Sequence, residues 1–455
     1  MRVLLTAHAF LPRSVAGVEV YTARLGEALK SLGHHVEVLA AVHDLSAPAY
    51  SVRRRALGSL DVIEIVNPHL EGTLEATYHV PAIDRAIARA VEEFRPHVVH
   101  AQHLLNLSTG LFDAAGAVGA PVILTLHDYW LSCPRDGLRM RADGTLCASV
   151  DHHICAECLS DSPYLVAPLQ RAAAHAARRT GLGSVLHRVH ERAPRLTTGT
   201  MRLLRRAWPL PTKDLHRALD QRADHLHERV AQTAVFLAPT QFAADRAVEW
   251  GVAAARVRVM PLGGVEGPTR PRLAGRRRRL AYLGTMAPHK GVHVLLEAVK
   301  GLVADDWTLD LFGHADLDPA YGARLRALAA GDPRIRFRGP VAPDGQGRLW
   351  DSLDALVVPS LWWENSPLAV LEALAAGIAV VASRTGGVPE VLPEAAGTFV
   401  PPGDVAALRA ALEGLIAGRL LAGALDPLPL KTSADGAREL AALYATLHAR
   451  AGGGA

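Results

Sequence analysis

Val3-Leu4-Leu5-Thr6-Ala7 is followed by an amphipathic stretch from Val18 to Leu32 and by a second apolar run, Val36-Glu37-Val38-Leu39-Ala40-Ala41. The same alternation continues with Val98 to Ala101 and Val122 to Leu126. Apolar runs of this length without strict period-2 polarity predict strands buried on both faces, and hence a parallel sheet with helices on either side. From Cys133 to about Val230 the pattern changes to a Cys- and Arg-rich stretch with helical spacing, read as an insertion at about 131–232. The alternation returns at Val235-Phe236-Leu237-Ala238 and Val257-Arg258-Val259-Met260 and breaks at Gly263-Gly264. Gly264 to Arg279, with Gly, Pro and four consecutive arginines, reads as a linker. A second alternating unit runs from Leu280-Ala281-Tyr282-Leu283 through Leu309 to Phe312, Ile335 to Phe337, Ala355 to Val358 and Ile378 to Ala382. The expected fold class is α/β, with two doubly wound parallel-sheet domains, 1–265 and 266–433, facing across a cleft. A last helical stretch, 434–450, is expected to pack back on the first domain. In such sheets ligands lie beyond the carboxyl ends of the strands, so both sheets contribute to the cleft.

The bulk properties agree with this division. The chain has 455 residues, 49% apolar and 21% charged, which suits a globular protein of two domains. No window approaches the roughly 18 uninterrupted apolar residues of a membrane span, and Met1-Arg2 leads straight into Val3-Leu4-Leu5 without a cleavage pattern, so a cytoplasmic location is expected. The formal net charge is only +4, but the arginines cluster at Arg53-Arg54-Arg55, Arg178-Arg179, Arg205-Arg206 and Arg276 to Arg279. Such clusters suit an acidic surface or anionic substrates, and no nucleic-acid partner is expected. A nicotinamide dehydrogenase is disfavoured because no G-x-G-x-x-G follows the first strand.

The segment richest in chemistry is Pro359-Ser360-Leu361-Trp362-Trp363-Glu364-Asn365-Ser366-Pro367-Leu368-Ala369-Val370-Leu371-Glu372-Ala373. Ser366 suits an N-cap and Pro367 a first helical position, which predicts a helix starting there with its free amides pointing into the cleft. Such a start binds phosphate, and Asn365, Ser366, Pro367 and Leu368 would line the bound donor. Glu364 falls just before the helix and Glu372 in its second turn. Carboxylates beside an anion site make sense if they accept hydrogen bonds from hydroxyls; otherwise Glu364 steadies the helix dipole and Glu372 is a solvated helix residue.

Glu364-x7-Glu372, followed by Ala376-Gly377 and Val380-Val381-Ala382-Ser383, resembles the signature of the family 4 retaining glycosyltransferases, the GT-B fold glycosyl transferases of group 1. The likeness extends to Tyr282-Leu283-Gly284 through His289-Lys290-Gly291, to Gly386-Gly387-Val388-Pro389-Glu390 and to Ala16-Gly17-Val18-Glu19. The resemblance implies that both domains are Rossmann-like. It implies that Glu364 contacts the transferred hexose and Glu372 the ribose, with Lys290 on the diphosphate beside Gly284 and Thr285. Gly17 would let the backbone approach a phosphate, and His127, ending the strand Val122 to Leu126, would contact the hexose. His127, Glu364 and Lys290 are thus the expected catalytic residues, with His100 and His103 lining the acceptor side. Two positions depart from the family pattern: Thr285 stands where an arginine is usual and Ala16 where a glycine is usual. Arg384 is the candidate replacement cation. The implied partners are a UDP- or GDP-sugar donor and a glycan or lipid-linked acceptor, as in cell-envelope polysaccharide synthesis, with no cofactor needed for catalysis. No carboxylate recommends itself as a nucleophile about 5 Å from an acid/base partner; what the resemblance implies instead is front-face displacement. Rival readings are a nucleotide-sugar epimerase on the same scaffold and a non-catalytic sugar-nucleotide or polyanion-binding protein.

Cys133-x13-Cys147-x7-Cys155-x2-Cys158 contains every cysteine of the chain. Four thiolates could close a structural zinc site, with His152 or His153 able to replace one; free thiols and an iron–sulfur cluster remain alternatives. Arg171 to Arg229 reads either as basic helices lying peripherally on anionic lipid or as a solvated helical cap. Asp316-Leu317-Asp318 matches a metal-clamp spacing formally, but its apparent surface-loop position makes it a coincidence. Gly452-Gly453-Gly454 reads as a disordered tail.

Overall fold

A computed structural model of the chain describes residues 1–44, 46–69, 71–141, 143–159, 165, 212–265, 270–271, 274–275, 277–341 and 346–452. Most of the basic stretch from Arg171, including Arg178-Arg179 and Arg205-Arg206, lies outside these residues, as do Arg276 and residues 453–455.

The first sheet is built from β1 (Arg2–Ala7), β2 (His35–Val42), β3 (Val52–Leu57), β4 (Leu60–Val66), β5 (Val98–Ala101), β6 (Val122–Thr125), β7 (Thr233–Ala238) and β8 (Val257–Val259). Its eight strands run in the order β3-β4-β2-β1-β5-β6-β7-β8, and all neighbours are parallel except β3 with β4. Apolar side chains from the two faces enter separate clusters, with Leu4, Leu39 and Val99 on one side and Val3, Leu5 and Val38 on the other. That division is why these strands read as continuous apolar runs.

The antiparallel edge differs from the expected all-parallel sheet. Leu57 pairs with Leu60 across the two-residue turn Gly58-Ser59, and Gly58 takes φ 56°, a conformation that favours glycine. The arginine cluster lies on this edge. Arg53 pairs with Asp44 at 2.8 Å, Arg55 with Glu64 at 2.7 Å, and Arg54 with Glu93 at 2.8 Å. These guanidinium groups therefore answer the chain's own carboxylates rather than an outside anion, and their charge protects an exposed strand edge.

The second sheet contains β9 (Arg279–Leu283), β10 (Thr308–Phe312), β11 (Ile335–Gly339), β12 (Ala355–Val358), β13 (Ala379–Ser383) and β14 (Gly397–Val400). It is parallel throughout, in the order β11-β10-β9-β12-β13-β14. Arg278 and Arg279 of the arginine run pair with Asp306 and Asp354. Asp318 caps the helix Pro319–Ala329 through the amides of Ala320 and Tyr321, while Asp316 pairs with Arg326, so that acidic pair has local work in a surface loop.

The helix Ser433–Gly452 returns to the first sheet. Ala437, Leu440 and Tyr444 join Val3, Leu5, Leu29 and Val36 in one apolar cluster. The Tyr444 hydroxyl lies 2.6 Å from His100 Nδ1, and Thr125 Oγ1 lies 2.7 Å from its Nε2. His100 was expected on the acceptor side; it is instead fully buried, with one ring nitrogen engaged by this helix and the other by β6. Of the insertion, the described helix Thr212–Val230 buries Leu215, Leu219 and Leu226 against the first domain, as a cap does. Among the described residues no helix is long and apolar enough to cross a membrane.

Candidate active site

The cleft is assembled from strand ends. After β12 the chain runs through Pro359 to Pro367 before entering the helix Leu368–Ala375. That helix begins one residue later than a Ser366 cap would place it. Pro367 is the cap residue, extended at φ −67° and ψ 116°, with no side-chain cap bond, so Ser366 does not cap and Pro367 is not the first helical residue. The local preference of Ser for a cap yields to the loop geometry that positions Glu364.

Glu364 is buried, and Oε1 lies 2.7 Å from Lys290 Nζ and 2.6 Å from Ser360 Oγ. Burial alone would raise its carboxyl pKa, but the Lys290 ammonium and the hydrogen bonds from Lys290 and Ser360 hold it below the ordinary carboxylate value. Lys290 closes the short turn Pro288–Lys290, and Nζ also sits 4.6 Å from the centre of the Trp362 ring. Gly291 then takes φ 69°, and a Cβ there would stand 1.9 Å from the Pro359 carbonyl oxygen. The Lys290 turn and the Glu364 loop are thus in backbone contact, and the Leu361 amide donates to the His289 carbonyl at 2.8 Å.

The facing wall comes from the first domain. His127, just beyond β6, has Nε2 2.8 Å from Gln102 Oε1 and lies edge-on to Tyr21. His103 Nε2 lies 2.8 Å from Asp128 Oδ2, and the Leu105 amide donates to its Nδ1. Gln102, His103, Leu126, His127, Asp128 and Trp130 line a small cavity at this strand end. Asn365 joins the two walls: Tyr129 donates to Oδ1 at 2.6 Å, and Nδ2 donates to the Leu126 carbonyl at 3.2 Å. Glu372 is not solvated; Arg24 of the helix Gly17–Ser31 donates to it at 2.7 Å and to the Gly264 carbonyl at 2.8 Å. Gly17 opens that helix, and a Cβ there would meet nothing within 4 Å, so its backbone faces open space.

Other expected donor residues are placed differently. Gly284, at φ 152°, directly follows β9, and the Thr285 carbonyl accepts from the Tyr282 hydroxyl at 2.7 Å. Arg384 pairs with Glu394 at 3.0 Å and lies over Phe399, so it does not join Lys290 in this structure. Glu390 accepts from the Gln241 and Phe242 amides, bridging the second domain to a helix start of the first. Gln102, Tyr129 and Arg24 were not singled out in the sequence, and Ser360 carried no role there. Gln102 and Tyr129 stand beside singled-out histidines and could have been found; Arg24 pairs across 348 residues and could not.

Burial lowers the pKa of His100, His127 and His289 to about 3 and that of His69 to about 4. The unfolded chain, with histidine near 6.5, binds more protons than the native one between those values, so stability should fall as pH drops from about 6.5 toward 4. His103 opposes this trend, because Asp128 outweighs burial and raises its pKa. Melting temperatures recorded from pH 7.5 down to 4.5 should decline steadily below 6.5; a flat profile would contradict the neutral buried histidines.

The family model for a glycosyl transferase 4-like domain matches residues 16–157, and that for glycosyl transferases group 1 matches residues 277–418. A phosphatidyl-myo-inositol mannosyltransferase of Mycobacterium leprae is 36% identical over 159 residues, covering 33% of this chain and 41% of that protein. An amylovoran biosynthesis glycosyltransferase of Erwinia amylovora is 30% identical over 167 residues, covering 34% of this chain and 39% of that protein. These alignments thus span less than half the length of either relative. Among solved structures, Anabaena HepE in complex with UDP-glucose matches with TM-score 0.55 at 13% identity, covering 99% of this chain and 98% of that one. Sucrose-phosphate synthase of Thermosynechococcus elongatus matches with TM-score 0.56 at 17% identity, covering 99% and 97%. At these identities the structural likeness speaks for the fold alone. With one family model on each facing sheet, the chain belongs to the group 1 glycosyl transferases, the family 4 enzymes of GT-B fold.

Proposed function

We propose that the chain is a retaining hexosyltransferase that takes its sugar from a UDP- or GDP-sugar and delivers it to a hydroxyl of a glycan or lipid-linked acceptor. The reaction is assigned to the cytoplasm, where the sequence expectation places the chain. The observation that carries this reading is the pair formed by half-buried Lys290 and buried Glu364 at the mouth of the cleft. A cation for a diphosphate and a carboxylate for sugar hydroxyls stand side by side there, each oriented before any ligand arrives. Glu364 is held by Lys290 and Ser360, and Glu372 by Arg24, so both carboxylates are set to accept hydrogen bonds rather than to attack a sugar carbon. That favours front-face displacement, in which the departing phosphate takes the acceptor proton while Lys290 and the amides at the start of the helix Leu368–Ala375 stabilise its charge. The relatives' names, an inositol lipid in one and amylovoran in the other, support a polyol, lipid-linked or polysaccharide acceptor.

Melting the protein against UDP-, GDP-, ADP- and dTDP-sugars tests the donor site. One nucleotide class should stabilise by about 2.7 kcal/mol at a hundredfold excess over Kd. Lys290→Ala should abolish the shift. Nucleotide release should require an acceptor, which separates transfer from epimerisation. A panel that leaves the melting temperature unmoved, or a Lys290→Ala variant shifted like the parent, would sink the proposal.

A further inference from the structure

The stretch holding the four cysteines forms one wall of the cleft. Cys133, Met140 and Tyr129 pack with Trp362, and the Arg139 guanidinium lies 5.5 Å from the centre of the Trp363 ring, beside Glu364. Two of the cysteines, Cys155 and Cys158, lie three residues apart on the helix His152–Leu159 and share a face. The other two are carried by the preceding loop. Arg139 fastens that loop to itself: Nε and Nη2 donate to the Cys147 carbonyl at 3.1 and 2.9 Å, and Nη1 donates to Ser132 Oγ beside Cys133. Arg135 fastens the loop to the helix, with Nη1 3.6 Å from Cys158 Sγ and with Cys133 Sγ 3.6 Å from its carbonyl.

A third arginine points the same way. Arg222 is 3% exposed, and its Nη atoms donate only to the carbonyls of Trp130 and Leu131. Its Nε has no partner, and among the described residues it makes no ion pair. A buried guanidinium without a counter-charge is costly. Its guanidinium carbon lies 5.3 Å from the centre of the Trp130 ring and 6.0 Å from that of Tyr78, so aromatic faces and carbonyls are what it meets. Arg135 thus reaches a thiol directly, Arg139 braces the backbone that carries Cys147, and Arg222 holds the carbonyls just before Cys133. A divalent metal held by four thiolates carries a net charge of about −2, which calls for such surroundings.

We propose that Cys133, Cys147, Cys155 and Cys158 bind a structural zinc ion as a tetrathiolate centre, with Arg135, Arg139 and Arg222 as its compensating cations. Among the described residues no three His, Cys, Asp or Glu side chains stand at ligand spacing, so metal entry must draw the loop and helix thiols together and release their protons. His152 is occupied by Asp220 at 2.6 Å and His153 lies against the His216 ring, which leaves the thiols as the donor set. The ion closes the loop against the helix and so fixes the wall that packs on Trp362 and Trp363. A closed tetrathiolate shell has no open position, which makes its role structural.

Metal analysis of the full chain, purified without chelator from zinc-supplemented cells, tests this independently of any transferase activity. The expected result is about one zinc per chain, falling to nearly none in Cys155→Ser/Cys158→Ser. A strong chelator should lower the melting temperature of the parent but not of the variant. If the double variant fails to fold, cobalt added to the reduced, metal-stripped parent should give intense thiolate-to-cobalt absorption with tetrahedral visible bands, weakened in Cys147→Ser. A parent chain that carries no zinc and takes up neither zinc nor cobalt overturns the proposal. So does zinc retained in the double variant, or iron with sulfide in place of zinc.

Discussion

A Glu364→Gln variant should transfer sugar about 10²–10³-fold more slowly than the parent, as expected when one preorganised electrostatic partner of the transition state is removed. The substitution keeps shape and removes charge. Ser360 can still donate to the amide oxygen, and Lys290, which retains some exposure, can turn toward water, so the fold should survive. What is lost is the carboxylate that orients the lysine and that the proposed function sets against the sugar hydroxyls. Initial rates with the donor found by melting, measured as nucleotide release with acceptor present, provide the comparison. A rate within threefold of the parent would remove Glu364 from the mechanism, whatever the family pattern suggests.

Gly386→Ala should be as damaging by a different route. Gly386 takes φ 56°, and a Cβ there would stand 2.1 Å from the Glu364 carbonyl oxygen and 2.8 Å from the Glu364 nitrogen. The left-handed backbone costs an alanine about 1–2 kcal/mol, and relieving the clash about 1–3 more. Relief requires the Glu364 loop to move, and a displacement near 1 Å at reacting groups costs about 100-fold in rate. The variant should therefore lose stability in denaturant and lose the donor-induced rise in melting temperature. Gly116→Ala, in a helix with nothing within 4 Å of the added carbon, should do neither. Equal behaviour of the two variants would show that the contact between Gly386 and Glu364 does not constrain the site.

The central strands of each domain were legible because β1, β9 and β12 are buried on both faces and carry apolar runs, whereas their order in the sheet came only with the structure. The β3–β4 hairpin was not, because Arg53-Arg54-Arg55 reads as a charge cluster until Asp44, Glu64 and Glu93 are seen opposite it. Glu364 and Lys290 could be named from motif spacing, but their direct bond joins residues 74 apart and needed the fold. His100 and His103 look equivalent in sequence. One ends up inside, tied to Tyr444, and the other at the cleft on Asp128, because only His103 lies beyond the end of β5. The one-residue displacement of the helix start to Leu368 has the same origin, since a capping preference of about 1 kcal/mol is easily outweighed by loop packing.

The returning helix Ser433–Gly452 bears on how the protein is made. During synthesis β1 and the helix Gly17–Ser31 leave the ribosome ahead of the second sheet, so the surface that receives Leu440 and Tyr444 stays bare until that sheet has also been translated. A nascent chain carrying Val3, Leu5 and Leu29 uncovered for that interval is a client for chaperones that shield apolar surface. The two halves are therefore poor candidates for expression as separate fragments: the first, released at the linker, would lack the segment that seals it.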